Sequence, residues 1–396
     1  MGERLYKSAL LYLFLIMLIG VILRGKFVIA LFPDLDFNFL LQSHSHVAFL
    51  GWVYIALIGL VFTFSHVGEN KGHPILFTLL HIANIGMLIS FALEGYAFWS
   101  ILFATLHIFI SYYVFYLFLK ERKKGSTKAH PFFLMAFIFN IISSIGPWGL
   151  AYSMSGYTGI MNFFDAALYF YLHFQYNGWF TLGIMGAIYA LLEKLGISYS
   201  KKWMNVQFWL STLAVIPTYF LSIMWLDLSP SLILIAQFGG ILYFVGITMF
   251  LLNVTKPLLS ITASWVIQLT FSLGLLSLAV KGFMELMTIS PSLAKSVYEV
   301  RQIIIGYLHL TLLGFVTFLL LAIAIILYRW KVSNFSLLSI ILGSSLMIIL
   351  LFLTGLFQWI KSPVSYSLLY WLLFISSIFP FIGAGVLLFH RKSYER

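Results

Sequence analysis

The sequence predicts an all-α, polytopic membrane protein of about twelve transmembrane helices. Three observations predict it. The chain is 62% hydrophobic with only 9% charged residues and a mean hydropathy of +1.01, where a soluble domain carries about a quarter charged residues. Apolar runs of the length needed to cross a bilayer core, about 20 residues for about 30 Å, recur almost from end to end. Lysine and arginine alternate in abundance from one interhelical segment to the next. The net charge of +11 lies between the apolar runs and forms no basic groove with interleaved aromatics, so nucleic acid is not an expected partner. The lipid bilayer is. With no cysteine, disulfides, thiolate metal sites and cysteine nucleophiles are excluded. The first apolar run has no small-residue cleavage site after a short core and reads as the first span.

Twelve runs bounded by polar, glycine or proline punctuation cover about 8–31, 40–65, 74–98, 100–119, 131–154, 164–192, 203–226, 230–253, 258–288, 300–328, 334–360 and 366–389. A tight turn near Ala97–Ser100 separates the third from the fourth. With the N-terminus inside, seventeen of the 23 Lys and Arg residues fall on inside segments, among them Lys71, Lys392 and Arg396. The outside set is Arg24, Lys26, Lys281, Lys295, Arg301 and Lys361. Both termini are therefore expected on the cytoplasmic side, in a prokaryotic inner membrane. The longest loops fall outside, near 154–164 and 288–300. No soluble domain is expected, and residues 1–396 read as a single transmembrane domain.

Histidine carries the chemistry. Of ten histidines, His66, His73, His130 and His390 lie at inside loops or helix ends, as ordinary interfacial residues do. Six fall within spans: His44, His46, His81, His107, His173 and His309. An ionisable group at membrane depth is costly and marks a site by default. Three share one pattern: His46 leads to Gly51-Trp52, His173 to Gly178-Trp179 and His309 to Gly314-Phe315, each with four residues between His and Gly. They lie on the second, sixth and tenth spans. This implies three four-helix units, about 1–130, 131–256 and 257–396, each giving one inner helix to a pseudo-threefold bundle. The three histidines, with His107, then share the outer half of the membrane, while His81 lies near the inner end of its span.

Neutral imidazole is the commonest nitrogen ligand of metals and of haem iron. No Gly-x-Ser-x-Gly, His-Glu-x-x-His or paired-carboxylate hydrolase motif is present. Membrane-embedded carboxylates are few: Glu94 and Asp165 sit at outer span ends. That scarcity argues against proton pumping and against a carboxylate-based transporter. Imidazoles converging among 40 Phe and 11 Trp point to haem or copper. His44 and His46, two apart, face opposite sides of their helix and address different sites.

The helix plan and the three histidines resemble the catalytic subunit of the haem–copper oxidase superfamily, which includes terminal oxidases and nitric oxide reductases. The chain is also similar to the shorter NnrS-type haem- and copper-containing membrane proteins. The resemblance implies an oxidoreductase-type haem protein acting in electron transfer or in binding or reducing nitric oxide or oxygen, with an electron-donor protein on the outer face. It maps His46 and His309 onto the two ligands of the low-spin haem. Tyr307 stands where the family's second haem has its proximal histidine. His173 matches the helix-six copper ligand, with Asn177 where the oxidases carry a tyrosine, and span seven lacks the two histidines that complete the copper site. His107 or His44 would complete a second site near His173. Arg24, with Lys26, Arg301 and Lys361, would pair with haem propionates. Two other readings stand beside this one. The first is a cofactor-free transporter or channel with a histidine-lined proton or metal path, whose broken helices at Pro147, Pro217 and Pro380 would be its working parts. The second is a copper or zinc site without haem, built from His44, His107 and His173.

Overall fold

In a computed structural model, residues 1–29, 31–69, 72–154, 156 and 162–393 are described, with backbone alone for Lys392 and Ser393. Lys71, Arg396, the Lys392 side chain and most of the outer loop near 154–164 lie outside the described residues. Twelve long helices stand among these residues where the apolar runs predict them. They are α1 (Gly2–Gly25), α2 (Phe37–Ser65), α3 (Pro74–Glu94), α4 (Phe98–Glu121), α5 (His130–Met154), α6 (163–194), α7 (Lys201–Ser222), α8 (Pro230–Leu259), α9 (Trp265–Met287), α10 (Arg301–Leu327), α11 (Asn334–Trp359) and α12 (Tyr366–His390). A short helix, Pro291–Glu299, precedes α10. The sole strands among the described residues are two-residue pieces, Trp330–Lys331 paired antiparallel with Lys392–Ser393.

Ten of these helices are long and apolar enough to cross a membrane, which makes the chain an integral membrane protein. α6 and α7 are not among the ten. Their length suffices, but Gln175, Tyr176 and Asn177 in α6 and Asn205, Gln207, Ser211 and Thr212 in α7 lower their apolarity. Most of these side chains are buried, so their polarity faces protein.

Helix starts follow local chemistry. The Asp36 carboxylate accepts from Phe39 N at 2.9 Å and caps α2, and the Ser200 hydroxyl caps α7. Pro74 and Pro230 open α3 and α8, where a missing N–H costs nothing. The expected turn after α3 is built on Gly95, at φ +63°, and on Glu94, whose carboxylate accepts from Ser100 N at 2.9 Å at the start of α4. The prolines differ from expectation. α5 is interrupted at Ser144, three residues before Pro147, but α7 and α12 run unbroken through Pro217 and Pro380. Small residues make room: a Cβ on Gly239 would lie 2.7 Å from Pro217 Cγ, and one on Gly343 would lie 2.5 Å from Pro380 Cδ.

The contacts form two units: Met1–Ser126 with Ala263–Thr270 and Leu312–Arg396, and Thr127–Thr262 with Phe271–Thr311. α9 and α10 are each divided between them. In the first unit Tyr6 of α1 packs edge-on to Trp52 at 6.0 Å, and Thr63 hydrogen-bonds the Tyr328 hydroxyl at 2.9 Å. In the second, Glu193 gathers the chain at the ends of α5 and α6. Its carboxylate accepts from Thr127 Oγ1, Lys128 N and Tyr199 Oη. Burial and that carboxylate raise the Tyr199 phenol well above its ordinary pKa, so it remains a donor.

Gly178 of α6 is required by packing, since an added Cβ would sit 2.4 Å from Phe139 Cβ in α5. Gly178→Leu is expected to destabilise the protein by about 1–3 kcal/mol through overpacking, read as a lowered thermal-unfolding midpoint in detergent. The same substitution at Gly125, whose Cβ would meet nothing within 4 Å, meets backbone strain from its φ of +79° and no packing clash.

Candidate functional site

Each histidine of the sequence repeat immediately precedes a π-helical segment: His46 before Val47–Val53, His173 before Phe174–Phe180, His309 before Leu310–Thr317. The glycine of each motif falls inside that segment. A π turn widens the helix and takes a carbonyl out of the ordinary ladder. The carbonyl three residues after the histidine is met by a donor five residues further on in all three. Tyr54 N bonds Phe49 O, Thr181 Oγ1 donates to Tyr176 O at 2.6 Å, and Thr317 Oγ1 donates to Leu312 O at 2.7 Å. The next carbonyl is approached from another helix in two of them. His107 of α4 faces Leu50 O, and Tyr243 of α8 donates to Asn177 O at 3.4 Å. The motif is thus a repeated backbone device as well as a repeated string.

Hydrogen bonds separate the three imidazoles. Nδ1 of His46 lies 2.9 Å from Gln42 O, and Nδ1 of His309 lies 2.8 Å from Ile305 O. A carbonyl oxygen only accepts, so Nδ1 carries the proton in both, and Nε2 keeps its lone pair. The His46 ring stacks on Phe91 of α3 at 4.0 Å, and its Nε2 is 3.3 Å from the hydroxyl of Tyr96, an exposed loop residue. His173 is wired the other way. Its Nε2 donates to Val215 O at 2.8 Å, and its Nδ1 accepts from Asn177 Nδ2 at 3.3 Å. Both nitrogens are engaged by protein.

The remaining expected residues fall as follows. In the first unit, His44 turns away from His46 toward α1, its Cε1 3.5 Å from where a Gly20 Cβ would stand, and its Nδ1 is buried without a partner. Arg24 lies within electrostatic reach of His44 and Tyr370. No described carboxylate stands within ion-pair distance of it. Lys26 donates to its own loop carbonyl at Phe32. His107 is buried edge-on to Tyr54 at 4.8 Å, with Nε2 unpartnered. In the second unit, Tyr307 donates to Glu285 Oε1 at 2.6 Å. Among the described residues no three His, Asp or Glu side chains form a metal-holding group. His66 and His73 pair with Glu69 and Glu121, and His81 bonds the Tyr12 hydroxyl at 2.6 Å.

Sequence reasoning missed the ion pair of the second unit. Lys281 is fully buried, donates to Asn177 Oδ1 and lies 3.0 Å from Glu285 Oε1. A continuous polar chain therefore runs Val215 O, His173, Asn177, Lys281, Glu285, Tyr307. The spacing Lys281-x-x-x-Glu285 inside an apolar run was the available signal, since residues four apart share a helix face. Counting Lys281 as an outer-end cation concealed it.

A buried charge stripped of its partner is costly. Lys281→Met is expected to destabilise the protein by about 3–5 kcal/mol, and Lys281→Met with Glu285→Leu by less than either single change. Thermal unfolding of the three variants in detergent checks this.

No protein-family model matches the chain, and no curated protein matches it.

Proposed function

We propose that this chain is a haem-binding membrane protein of twelve spans, α6 and α7 included, with cytoplasmic termini, and that His46 of the first unit and His309 of the second are its candidate haem-ligating imidazoles. One observation carries the reading: these two histidines share one tautomer, with Nδ1–H donated to the carbonyl four residues back and Nε2 unprotonated. Iron-ligating imidazoles are held in this way, because the carbonyl fixes the tautomer and ring plane and raises the basicity of the ligating nitrogen. Phe91 holds the His46 ring by its face, and the hydroxyl of exposed Tyr96 lies 3.3 Å from its Nε2. Arg24, without a carboxylate partner among the described residues, suits a propionate. An imidazole-ligated haem would supply one-electron transfer. The proposal is accordingly an electron carrier served by an electron-donor protein, with turnover of nitric oxide or oxygen requiring a further open site. His173, whose Nε2 and Nδ1 are both engaged by protein, is not needed by this reading.

A second reading draws on the polar chain from His173 to Tyr307: a cofactor-free transporter conducting protons through the second unit. Stoichiometric haem separates the two.

Reduced-minus-oxidised absorption spectra of the purified variants test the proposal. His46→Ala and His309→Ala are expected to lose the low-spin haem bands, and His173→Ala to retain them. Wild-type spectra from all three would make the motif purely structural.

A further inference from the structure

A cavity of about 490 Å³ lies among α1, α3 and α4 within the first unit. At one end the Arg4 guanidinium sits over the Phe77 ring, 4.1 Å from its centroid, and within electrostatic reach of His81. The walls beyond are Ile82, Ile85, Gly86 and Phe103. Gly86 admits Phe103, since an added Cβ would lie 2.4 Å from that ring. Ile82 and Ile85 are exposed, and exposed apolar side chains on a spanning helix meet lipid. From Phe77 to Gly86 the trough follows α3 for about 14 Å at 1.5 Å per residue, close to half of a hydrocarbon core of about 30 Å.

The polar end of this trough is unbalanced. Glu3, Glu69 and Glu121, at the same helix ends, pair with Lys7, His66 and His73. No described carboxylate pairs with Arg4. The Tyr12 hydroxyl lies 2.6 Å from Nδ1 of His81. Donating there satisfies the one hydrogen of that hydroxyl, so Nδ1 accepts and Nε2 carries the ring proton. That Nε2 is buried without a partner, and a buried N–H lacking an acceptor is costly.

We propose that this trough binds one anionic phospholipid, from the leaflet in which α1 begins. Its phosphate sits on the Arg4 guanidinium, and an acyl chain lies along Ile82, Ile85 and Phe103. An oxygen of the headgroup supplies the acceptor that Nε2 of His81 lacks. Charge complementarity selects the occupant: a cation without a carboxylate, at the head of an apolar trough open to lipid, fits a negative headgroup joined to a hydrocarbon chain. The proposal invokes no cofactor, so it and the haem reading fail separately.

Photolabelling of the full chain in phosphatidylcholine vesicles tests it. The probes are phosphatidylglycerol and phosphatidylcholine carrying the same diazirine on one acyl chain, each added in trace amount, with the labelled residues mapped by peptide mass spectrometry. In wild type the phosphatidylglycerol probe is expected to label Ile82, Ile85 or Phe103 about fivefold more than the phosphatidylcholine probe, the factor that one basic residue at an anionic surface supplies. Arg4→Ala is expected to remove that preference in the trough and to leave labelling elsewhere on the chain unchanged. Ile85→Trp, which fills the trough from an exposed position, is expected to reduce labelling of Ile82 and Phe103 by phosphatidylglycerol. Equal labelling of the trough by the two probes in wild type would overturn the proposal, and that comparison needs no variant. An undiminished preference in Arg4→Ala would overturn it as well.

Discussion

In a buried interior, a backbone carbonyl that leaves the helical ladder finds no water, so protein must supply its donor. This constraint organises the three histidine helices. Each contains a π segment, and each π segment presents carbonyls that demand donors. Thr181 and Thr317 serve them from within the helix, and Tyr243 serves from a neighbour. His107, facing Leu50 O, stands in the place that Tyr243 takes opposite Asn177 O. That carbonyl meets one nitrogen of the buried ring, and Nε2 has no hydrogen-bond partner.

The same geometry gives the motif histidines different work. At His46 and His309 the ring is tied back to its own helix through Nδ1, and Nε2 remains a base. At His173 the ring is tied outward through Nε2 to α7, and Asn177 links it to a buried ammonium. Two of the rings are thus tied to their own helix, and the third anchors a charged network. That network explains why α6 and α7 carry more polarity than the other long helices: Gln175 bonds Asn140 and Ser143, and Gln207 bonds Ser211. Gln175 and Gln207 thus find hydrogen-bond partners within the second unit.

Much of this was legible in the sequence. Apolar run length located the ten helices that are long and apolar enough to cross a membrane, because a bilayer fixes how long such a run must be. The histidine–glycine repeat was visible as a string, and the opposed directions of His44 and His46 followed from helical periodicity. The π conformation was not legible, since it depends on which side chains reach the freed carbonyls. The fate of the prolines was hidden as well, because Gly239 and Gly343, distant in sequence, determine whether Pro217 and Pro380 are accommodated. Glu285 escaped notice for a related reason: a carboxylate near a span end reads as solvated until its partners from α9 and α10 are placed around it.

The central claim is that the tied-back imidazoles of His46 and His309 are iron ligands. Haem content per chain, measured by pyridine haemochrome on protein purified after expression with adequate haem supply, tests it most directly. The account predicts about one haem per chain with a sharp reduced α band. Protein that folds fully and carries no haem would contradict it.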